Sequence, residues 1–214
     1  MKKFILAVTA AVLAVPAFAQ YGLGIKAGMG SNHPQSMYDF KYLVGGSIST
    51  GDYFAGIEAF YETPLNFDFA GDSQQYDEHK IGLRIGLEKY DKNTYKVANY
   101  TATENTISLP VTAYYKYDAG IKRFAFIAGA GLSILRSDIK ITNNGSDYKW
   151  KSALHFTVGT EYRLSEHFAL GFDLQYITSS AKIKGKYKIN GNNYKLTFSD
   201  RSGLNGALAA RYYF

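Results

Sequence analysis

Hydrophobic and polar residues alternate along most of this chain with a period of two. Between Trp150 and Leu164, one set of alternate positions carries large apolar residues, and the other carries mostly small and polar residues. The same alternation returns in 168–176 and in 204–214. Successive side chains of a β-strand point to opposite faces of the sheet, so this period predicts strands with one apolar and one polar face.

The predicted strands are longer than those of an average soluble sheet. Strands of soluble proteins usually have about 5–6 residues, whereas a tilted strand needs ~9–11 residues to cross a bilayer. Further alternating segments lie at 21–29, 40–48, 53–61, 81–87, 107–117 and 124–134. Because only helices and closed sheets satisfy every backbone group in lipid, we predict an all-β fold, a closed antiparallel up-and-down transmembrane β-barrel.

Ten strands is the preferred count, and eight is the alternative. Nine segments alternate clearly, and an even number is needed to return both chain ends to the same side. We take 94–103 as the tenth strand, although its alternation is poor. In the eight-stranded alternative, 79–103 forms a hairpin outside the membrane. That arrangement would leave Ile81 to Leu87 in water, which is why ten strands are preferred.

Turn-forming residues separate the predicted strands. Short links at 50–52, 91–93, 118–120 and 165–166 alternate with longer polar links at 31–39, 63–78, 137–149 and 179–201. Outer-membrane barrels have short turns on the periplasmic side and long loops outside the cell, and this asymmetry matches them. Pro110 removes one hydrogen-bond donor from its strand, so it predicts a local bulge.

The amino terminus is predicted to be an export signal. Lys2 and Lys3 precede an apolar run from Phe4 to Ala19, which ends in the small-x-small pattern that signal peptidase accepts. A helix of this length spans roughly 24 Å, less than the ~30 Å hydrocarbon core. We predict a signal peptide over 1–19, cleavage between Ala19 and Gln20, and a barrel domain over 20–214.

The carboxy-terminal residues carry the most specific resemblance to a known family. The sequence Leu208-Ala209-Ala210-Arg211-Tyr212-Tyr213-Phe214 resembles the terminal aromatic signal of small outer-membrane β-barrel proteins of Gram-negative bacteria, the opacity-type and porin-like surface proteins. The resemblance covers the whole mature chain. It implies a place in the outer membrane, contact with its lipid, and recognition of Phe214, Tyr212, Ala210 and Leu208 by the barrel-assembly machinery. The family is functionally mixed, so the resemblance implies architecture more than activity.

Composition argues against several kinds of chemical site. The chain has no Cys, which rules out a disulfide scaffold, a thiol enzyme and a Cys-bearing zinc or iron–sulfur site. His79 lies two residues after Asp77. An outer-membrane protease would also need an Asp-x-Asp pair facing this histidine, and none is found. His155 has Thr157 where a lipid-modifying barrel would need Ser, and both side chains point into the lumen. We therefore expect no catalytic residue, no cofactor, no metal site and no enzyme activity.

The inward-facing charges mix both signs. They are Lys26, Lys41, Glu58, Arg84, Glu88, Glu161, Arg163, Asp173 and Arg211. Side chains fill the interior of so small a barrel, and opposite charges there should pair because unpaired ones are costly. A ring of one sign would have indicated an ion-selective pore. The mixture predicts a plugged lumen, with a narrow channel as the alternative.

A row of cations follows the predicted wall on its outward side. Lys182, Lys184, Lys186 and Lys188 continue the outward positions of 172–176, and Arg136 and Lys140 continue those of 124–134. Cations just above the outer hydrocarbon boundary would meet lipopolysaccharide phosphates. Alternatively, the lysines keep the protruding strands soluble. The net charge falls from +6 to +4 when Lys2 and Lys3 are removed, and an exported protein is not expected to bind nucleic acid.

These observations predict a monomeric outer-membrane protein with a structural or surface-interaction role, of the adhesion type, through its extracellular loops. The alternative is a narrow porin-like channel for ions or small solutes. An enzyme at the outer rim ranks third.

Overall fold

The computed structural model describes residues 20–31, 47–49, 51–65, 78–97, 100–118, 123–142, 145–189 and 192–214. The predicted signal peptide over 1–19, most of the predicted strand over 40–48 and Lys41 lie outside these residues. None of the helices among the described residues is long and apolar enough to cross a membrane.

The described residues form strands and one short 3₁₀ turn. The strands are β1 (Gln20–Gly30), β2 (Ser47–Ser49), β3 (Tyr53–Pro64), β4 (Glu78–Tyr90), β5 (Asn93–Val97), β6 (Tyr100–Asp118), β7 (Phe124–Ile141), β8 (Gly145–Arg163), β9 (Phe168–Ile177), β10 (Lys182–Ile189), β11 (Asn192–Asp200) and β12 (Gly203–Tyr213). The 3₁₀ turn is Ser179–Ala181. Around the barrel the order is β1, β3, β4, β6, β7, β8, β9, β12, and every neighbouring pair is antiparallel.

The last strand closes on the first, as predicted. β12 pairs with β1 from Gly22 opposite Tyr213 to Gly30 opposite Asn205. Beyond the ladder, the Phe214 amide donates to the Tyr21 carbonyl at 3.0 Å, and the two rings stack with their centroids 5.4 Å apart. The wall is therefore a continuous ring of hydrogen-bonded strands, which is what a bilayer requires.

Among the described residues the wall has eight strands, so the preferred count of ten is wrong and the alternative count of eight is correct. β4 pairs with the 107–118 part of β6, while β5 pairs with the 100–104 part of the same edge. β2 lies beside β5 as β3 lies beside β4. The segment 94–103 and the described part of 40–48 thus extend existing strands and do not enlarge the ring. The alternative also placed 79–103 outside the membrane. That placement is wrong for β4, which is a wall strand.

Two of the predicted turns are interruptions between strands that lie end to end. The breaks at 50–52 and 91–92 lie side by side: the Gly51 amide donates to Asn93 Oδ1 at 2.7 Å, and the Asp91 amide donates to the Tyr53 carbonyl at 2.9 Å. A Cβ at Gly51 would lie 2.6 Å from the Asp91 carbonyl carbon, so this close approach of two backbones requires glycine.

The predicted alternation of short and long links is also wrong, because two of the predicted short turns are breaks between strands that lie end to end. Both breaks lie at the end of the barrel opposite to the termini, whereas 118–120 and 165–166 lie at the terminal end. The link 63–78, which was predicted to be an outer loop, leaves β3 at the terminal end, where Glu62 pairs with Gln20.

The predicted faces are correct on every wall strand. Outward positions are apolar and exposed: Tyr21, Leu23, Ile25, Ile57, Ile81, Leu83, Ile85, Leu87, Leu109, Phe126, Leu132, Leu154, Phe156, Val158, Leu170, Phe172, Leu204, Leu208 and Phe214. So large an exposed apolar band is characteristic of a surface covered by lipid. Inward positions are buried and mostly polar in the membrane-spanning part of the wall.

Pro110 is accommodated without the predicted bulge. The β4–β6 ladder has the same register on both sides of it, from Ile85 opposite Val111 to Glu88 opposite Ser108. Pro110 faces Gly86, where an added Cβ would lie 3.0 Å from the Pro110 ring. The missing donor therefore leaves a local gap in one ladder, and glycine provides room for the ring.

Above the wall, β6, β7 and β8 continue outward and β10–β11 forms a separate hairpin. Here apolar residues join the inward face, with Leu135, Ala153, Ile177 and Ala181 in one buried cluster beside the buried polar side chains of Glu104, Thr106 and Ser137. Ile183 and Phe198 of the hairpin are also fully buried. Burial and the nearby Glu104 raise the pKa of Tyr95 above its ordinary value, so its hydroxyl stays protonated and donates to the Phe198 carbonyl.

Candidate functional site

Arg211 of β12 is the centre of the charged lumen. Its guanidinium donates from Nε to Glu58 Oε1 at 2.7 Å, from Nη1 to Glu161 Oε2 at 3.3 Å, and from Nη2 to Asp173. The three carboxylates come from β3, β8 and β9, so one side chain joins opposite parts of the wall. Arg211 is 1% exposed, and its pairing with hydrogen-bonded carboxylates offsets the cost of burying the charge.

Two further cations extend the network toward the outer end of the lumen. Arg84 Nη1 lies 2.9 Å from Asp173 Oδ2, and Arg84 Nε lies 3.8 Å from Glu58 Oε2. Lys26 Nζ lies 2.5 Å from Glu88 Oε1 and 4.0 Å from Glu58 Oε2. Seven of the nine predicted lumen charges therefore pair as expected, while Arg163 donates to Gln20 Oε1 at 3.2 Å and Lys41 lies outside the described residues.

A third group lies toward the terminal end. Lys116 Nζ contacts Glu161 Oε1 at 2.6 Å and Glu62 Oε2 at 3.4 Å, and it donates to the Tyr213 hydroxyl at 2.8 Å. The Tyr213 hydroxyl donates to Glu161 Oε1 at 2.6 Å, and the Tyr114 hydroxyl donates to Glu62 Oε1 at 2.8 Å. The sequence interpretation omitted Glu62 and Lys116 from the lumen charges, although their alternate positions already placed them on the inner face.

Small residues on the inner face make room for these side chains. A Cβ at Gly24 would lie 2.9 Å from Glu58 Cγ, and one at Gly171 would lie 3.0 Å from the Arg211 guanidinium carbon. A cavity in the lumen, lined by Lys26, Arg84, Glu88 and Asp173 among others, has a volume of about 20 Å³, room for about one water molecule. Paired side chains thus fill the middle of the barrel.

The two histidines that were considered for catalysis lie on different faces of the wall. His155 is fully buried in the lumen, between Thr112 Oγ1 at 2.8 Å and Ser133 Oγ at 2.9 Å. His79 faces outward at the terminal end, away from the outer rim, and its ring stacks on Tyr117 with centroids 5.2 Å apart. Asp77 lies outside the described residues. Within the described part of the chain, no cluster of His, Cys, Asp and Glu could hold a metal ion.

The predicted outer cations divide into two groups. On the hairpin, Lys182 pairs with Asp200 at 3.1 Å and Lys184 is exposed, while Ile183 between them is buried. The side chains of Lys186 and Lys188 are outside what the structure describes. On β7, Arg136 and Lys140 are both exposed and face outward. Arg136 pairs with Asp138 at 3.1 Å, and the structure brings it against two aromatic rings, Tyr148 and Trp150.

Comparison with known proteins identifies the family. The sequence profile of the outer membrane protein beta-barrel domain matches residues 5–201. The chain belongs to this family. It is a protein of the Gram-negative outer membrane, and its apolar belt contacts outer-membrane lipid. No curated protein matches the sequence.

Solved structures of other outer-membrane barrels are similar in fold at low sequence identity. OprG from Pseudomonas aeruginosa is 12% identical with a TM-score of 0.51, over 92% of this chain and 95% of that chain. Ail of Yersinia pestis, in complex with the heparin analogue sucrose octasulfate, is 11% identical with a TM-score of 0.49, over 92% and 99%. A major outer membrane protein of Thermus thermophilus is 13% identical with a TM-score of 0.49, over 92% and 99%.

The residues that the resemblance assigns to an assembly signal lie in the last part of β12 and directly after it. Leu208, Tyr212 and Phe214 project outward, and the rings of Tyr212 and Phe214 meet edge to face with their centroids 5.3 Å apart. Ala210 lies between Leu208 and Tyr212 on the same face. The segment is thus an apolar outward face of the closing strand.

Proposed function

We propose that the protein is a non-conducting outer-membrane barrel that acts through the parts of the chain outside the membrane, in a structural or surface-interaction role of the adhesion type. The observation that carries this proposal is the Arg211 network, which joins β3, β8, β9 and β12 across the lumen. A pore would need a continuous aqueous path at this level. The β6–β8 extension and the β10–β11 hairpin supply a folded surface on the outer side.

Conductance in planar bilayers tests this proposal against the narrow channel. The wild-type protein should give no steady single-channel steps. Arg211→Ala removes the central side chain and should admit water and ions, whereas Lys89→Gln removes an exposed outward cation and should stay silent. Steady steps from the wild-type protein would favour the channel.

An enzymatic role is not part of the proposal. His155 is buried inside the wall, where both ring nitrogens contact hydroxyls and a lipid or peptide substrate has no access. No catalytic residue, cofactor or metal is assigned. Hydrolysis of phospholipid or peptide substrates by the purified protein, abolished by His155→Asn in a folded barrel, would contradict this assignment.

The outer cations are proposed to contact lipopolysaccharide phosphates. Lys184, Arg136 and Lys140 are exposed and outward, and Lys182, Lys186 and Lys188 share the hairpin strand with Lys184. Exposed charge pairs weaken with salt, so lipopolysaccharide binding through them should weaken as ionic strength rises. Gln substitution of the four lysines of β10 should reduce binding, and Arg123→Gln, which removes an exposed cation at the terminal end of the barrel, should not.

Export, assembly and oligomeric state complete the proposal. Signal peptidase should cleave between Ala19 and Gln20, which the mass of the mature protein would show. Deletion of Phe214 should slow insertion by the barrel-assembly machinery. Light scattering of the detergent complex should give one chain per particle.

A further inference from the structure

Arg136, Tyr148 and Trp150 form a surface that we call the outer platform. Arg136 on β7 lies directly opposite Trp150 on β8, and Tyr148 is the next outward residue along β8. The guanidinium carbon of Arg136 is 5.6 Å from each ring centroid. Tyr148 is 60% exposed and Trp150 is 57% exposed, so both rings remain available. Asp138 contacts the guanidinium at 3.1 Å and holds it in place.

The outer platform lies immediately above the lipid belt. One position below it on the outward face, Ile134 is opposite Ser152, and below these Leu132 is opposite Leu154. All of these apolar side chains are exposed, so they contact acyl chains. A molecule whose chains lie on Leu132 and Leu154 would have its headgroup on the outer platform.

The chemistry of the outer platform favours a sugar. Flat aromatic faces pack against the apolar C–H face of a pyranose ring, and a guanidinium beside them donates to hydroxyl or phosphate oxygens. The glycerol and ethanolamine headgroups of glycerophospholipids present no ring to stack on. Because the platform continues the lipid belt, the sugar that reaches it belongs to a molecule with acyl chains.

We propose that the outer platform binds the saccharide of lipopolysaccharide, with a sugar ring against Trp150 and Tyr148 and its polar groups at Arg136. This inference rests on the proposed lipopolysaccharide contact of Arg136 and adds sugar stacking to it. The proposed phosphate contact alone would recognise charge; the outer platform recognises the ring that carries the charge.

Trp150 gives a direct test because it is the only tryptophan in the chain. Its emission is followed while the folded protein, in zwitterionic micelles, is titrated with lipid A, dephosphorylated lipid A or phosphatidylglycerol. Both forms of lipid A should change the emission saturably, and phosphatidylglycerol should not. Tyr148→Ala should weaken the apparent affinity for dephosphorylated lipid A by about fivefold, while Tyr53→Ala, which removes an equally exposed outward tyrosine elsewhere, should not.

The possible results separate the two proposals. A response to phosphorylated lipid A alone would overturn sugar stacking and leave the phosphate contact intact. An equal response to all three lipids would overturn it too, because Trp150 would then be a general interfacial anchor. No response to any lipid would overturn sugar stacking, while the phosphate contacts of the β10 lysines are tested separately by the salt dependence of lipopolysaccharide binding. Heat-modifiable gel migration of each variant confirms that the barrel is folded before it is titrated.

Discussion

Single residues in this barrel matter according to the face they occupy. Arg211 and Lys89 are both cations on wall strands, but Arg211 is buried among three carboxylates and Lys89 is exposed. Removing one member of a buried ion network leaves the remaining charges uncompensated, whereas an exposed charge interacts weakly with its surroundings.

We expect Arg211→Gln to lower the free energy of unfolding by about 3–5 kcal/mol, because Glu58, Glu161 and Asp173 lose their shared partner. Urea unfolding in micelles, followed by circular dichroism, measures the change. Lys89→Gln is the matched control and should shift the midpoint little. Equal stability of the two variants would show that the network does not support the wall.

A second residue-level prediction concerns two glycines at the β1–β12 seam. A Cβ at Gly28 would collide with the backbone of Gly206 and Ala207, whereas a Cβ at Gly206 would meet only Leu174 Cδ2 at 3.6 Å. Gly28→Ala should therefore reduce the yield of folded barrel, and Gly206→Ala should fold normally. Refolding yields read from unboiled gels make the comparison, and equal yields would contradict the close seam.

The sequence predicted which face each described wall residue occupies, but it did not predict the partners in the lumen. The period of two is a local property and needs no knowledge of the neighbouring strand. Whether Lys116 meets Glu62 depends on strand order and register. The sequence alone specifies neither of them. The sugar-facing arrangement of Arg136 and Trp150 was missed for the same reason.

At the scale of elements, the interruptions at 50–52 and 91–92 explain why ten strands were predicted. Gly and Asp mark a break in the ladder equally well whether the chain then reverses or continues. In this barrel it continues, since β5 follows β4 along the same edge of β6. Only the pairing partner distinguishes the two cases.

The hairpin formed by β10 and β11 is expected to protect the outer end of the barrel without determining its closure. Its Ile183 and Phe198 are buried, yet its ladder is separate from the wall. Replacing 182–200 by a short Gly-Ser link should leave a heat-modifiable barrel and increase proteolysis of the outer extensions, because apolar residues such as Leu135 become exposed. Lys184→Gln keeps the hairpin and should leave the digestion pattern unchanged. A variant that no longer folds would show that the hairpin is needed for closure.

For the whole molecule, closure is the property that a simple measurement can detect. Unboiled protein in dodecyl sulfate gels should migrate faster than boiled protein, because a closed ladder resists unfolding until heated. A chain that ends before Gly203 lacks β12 and cannot join β9 to β1. Its boiled and unboiled samples should migrate alike. A truncated chain that still shows the fast band would contradict the strand order.

The paired breaks beside Gly51 and Asp91 also bear on how this protein can diversify. They fall at one height in adjacent strands, where the ladder between β3 and β4 ends and the ladder between β2 and β5 begins. Residues can be gained or lost above that line without altering the register of the strands in lipid. These paired breaks let the part of the protein outside the membrane vary in length and sequence while the wall in lipid stays constant. This suits a protein whose outer surface meets a changing environment.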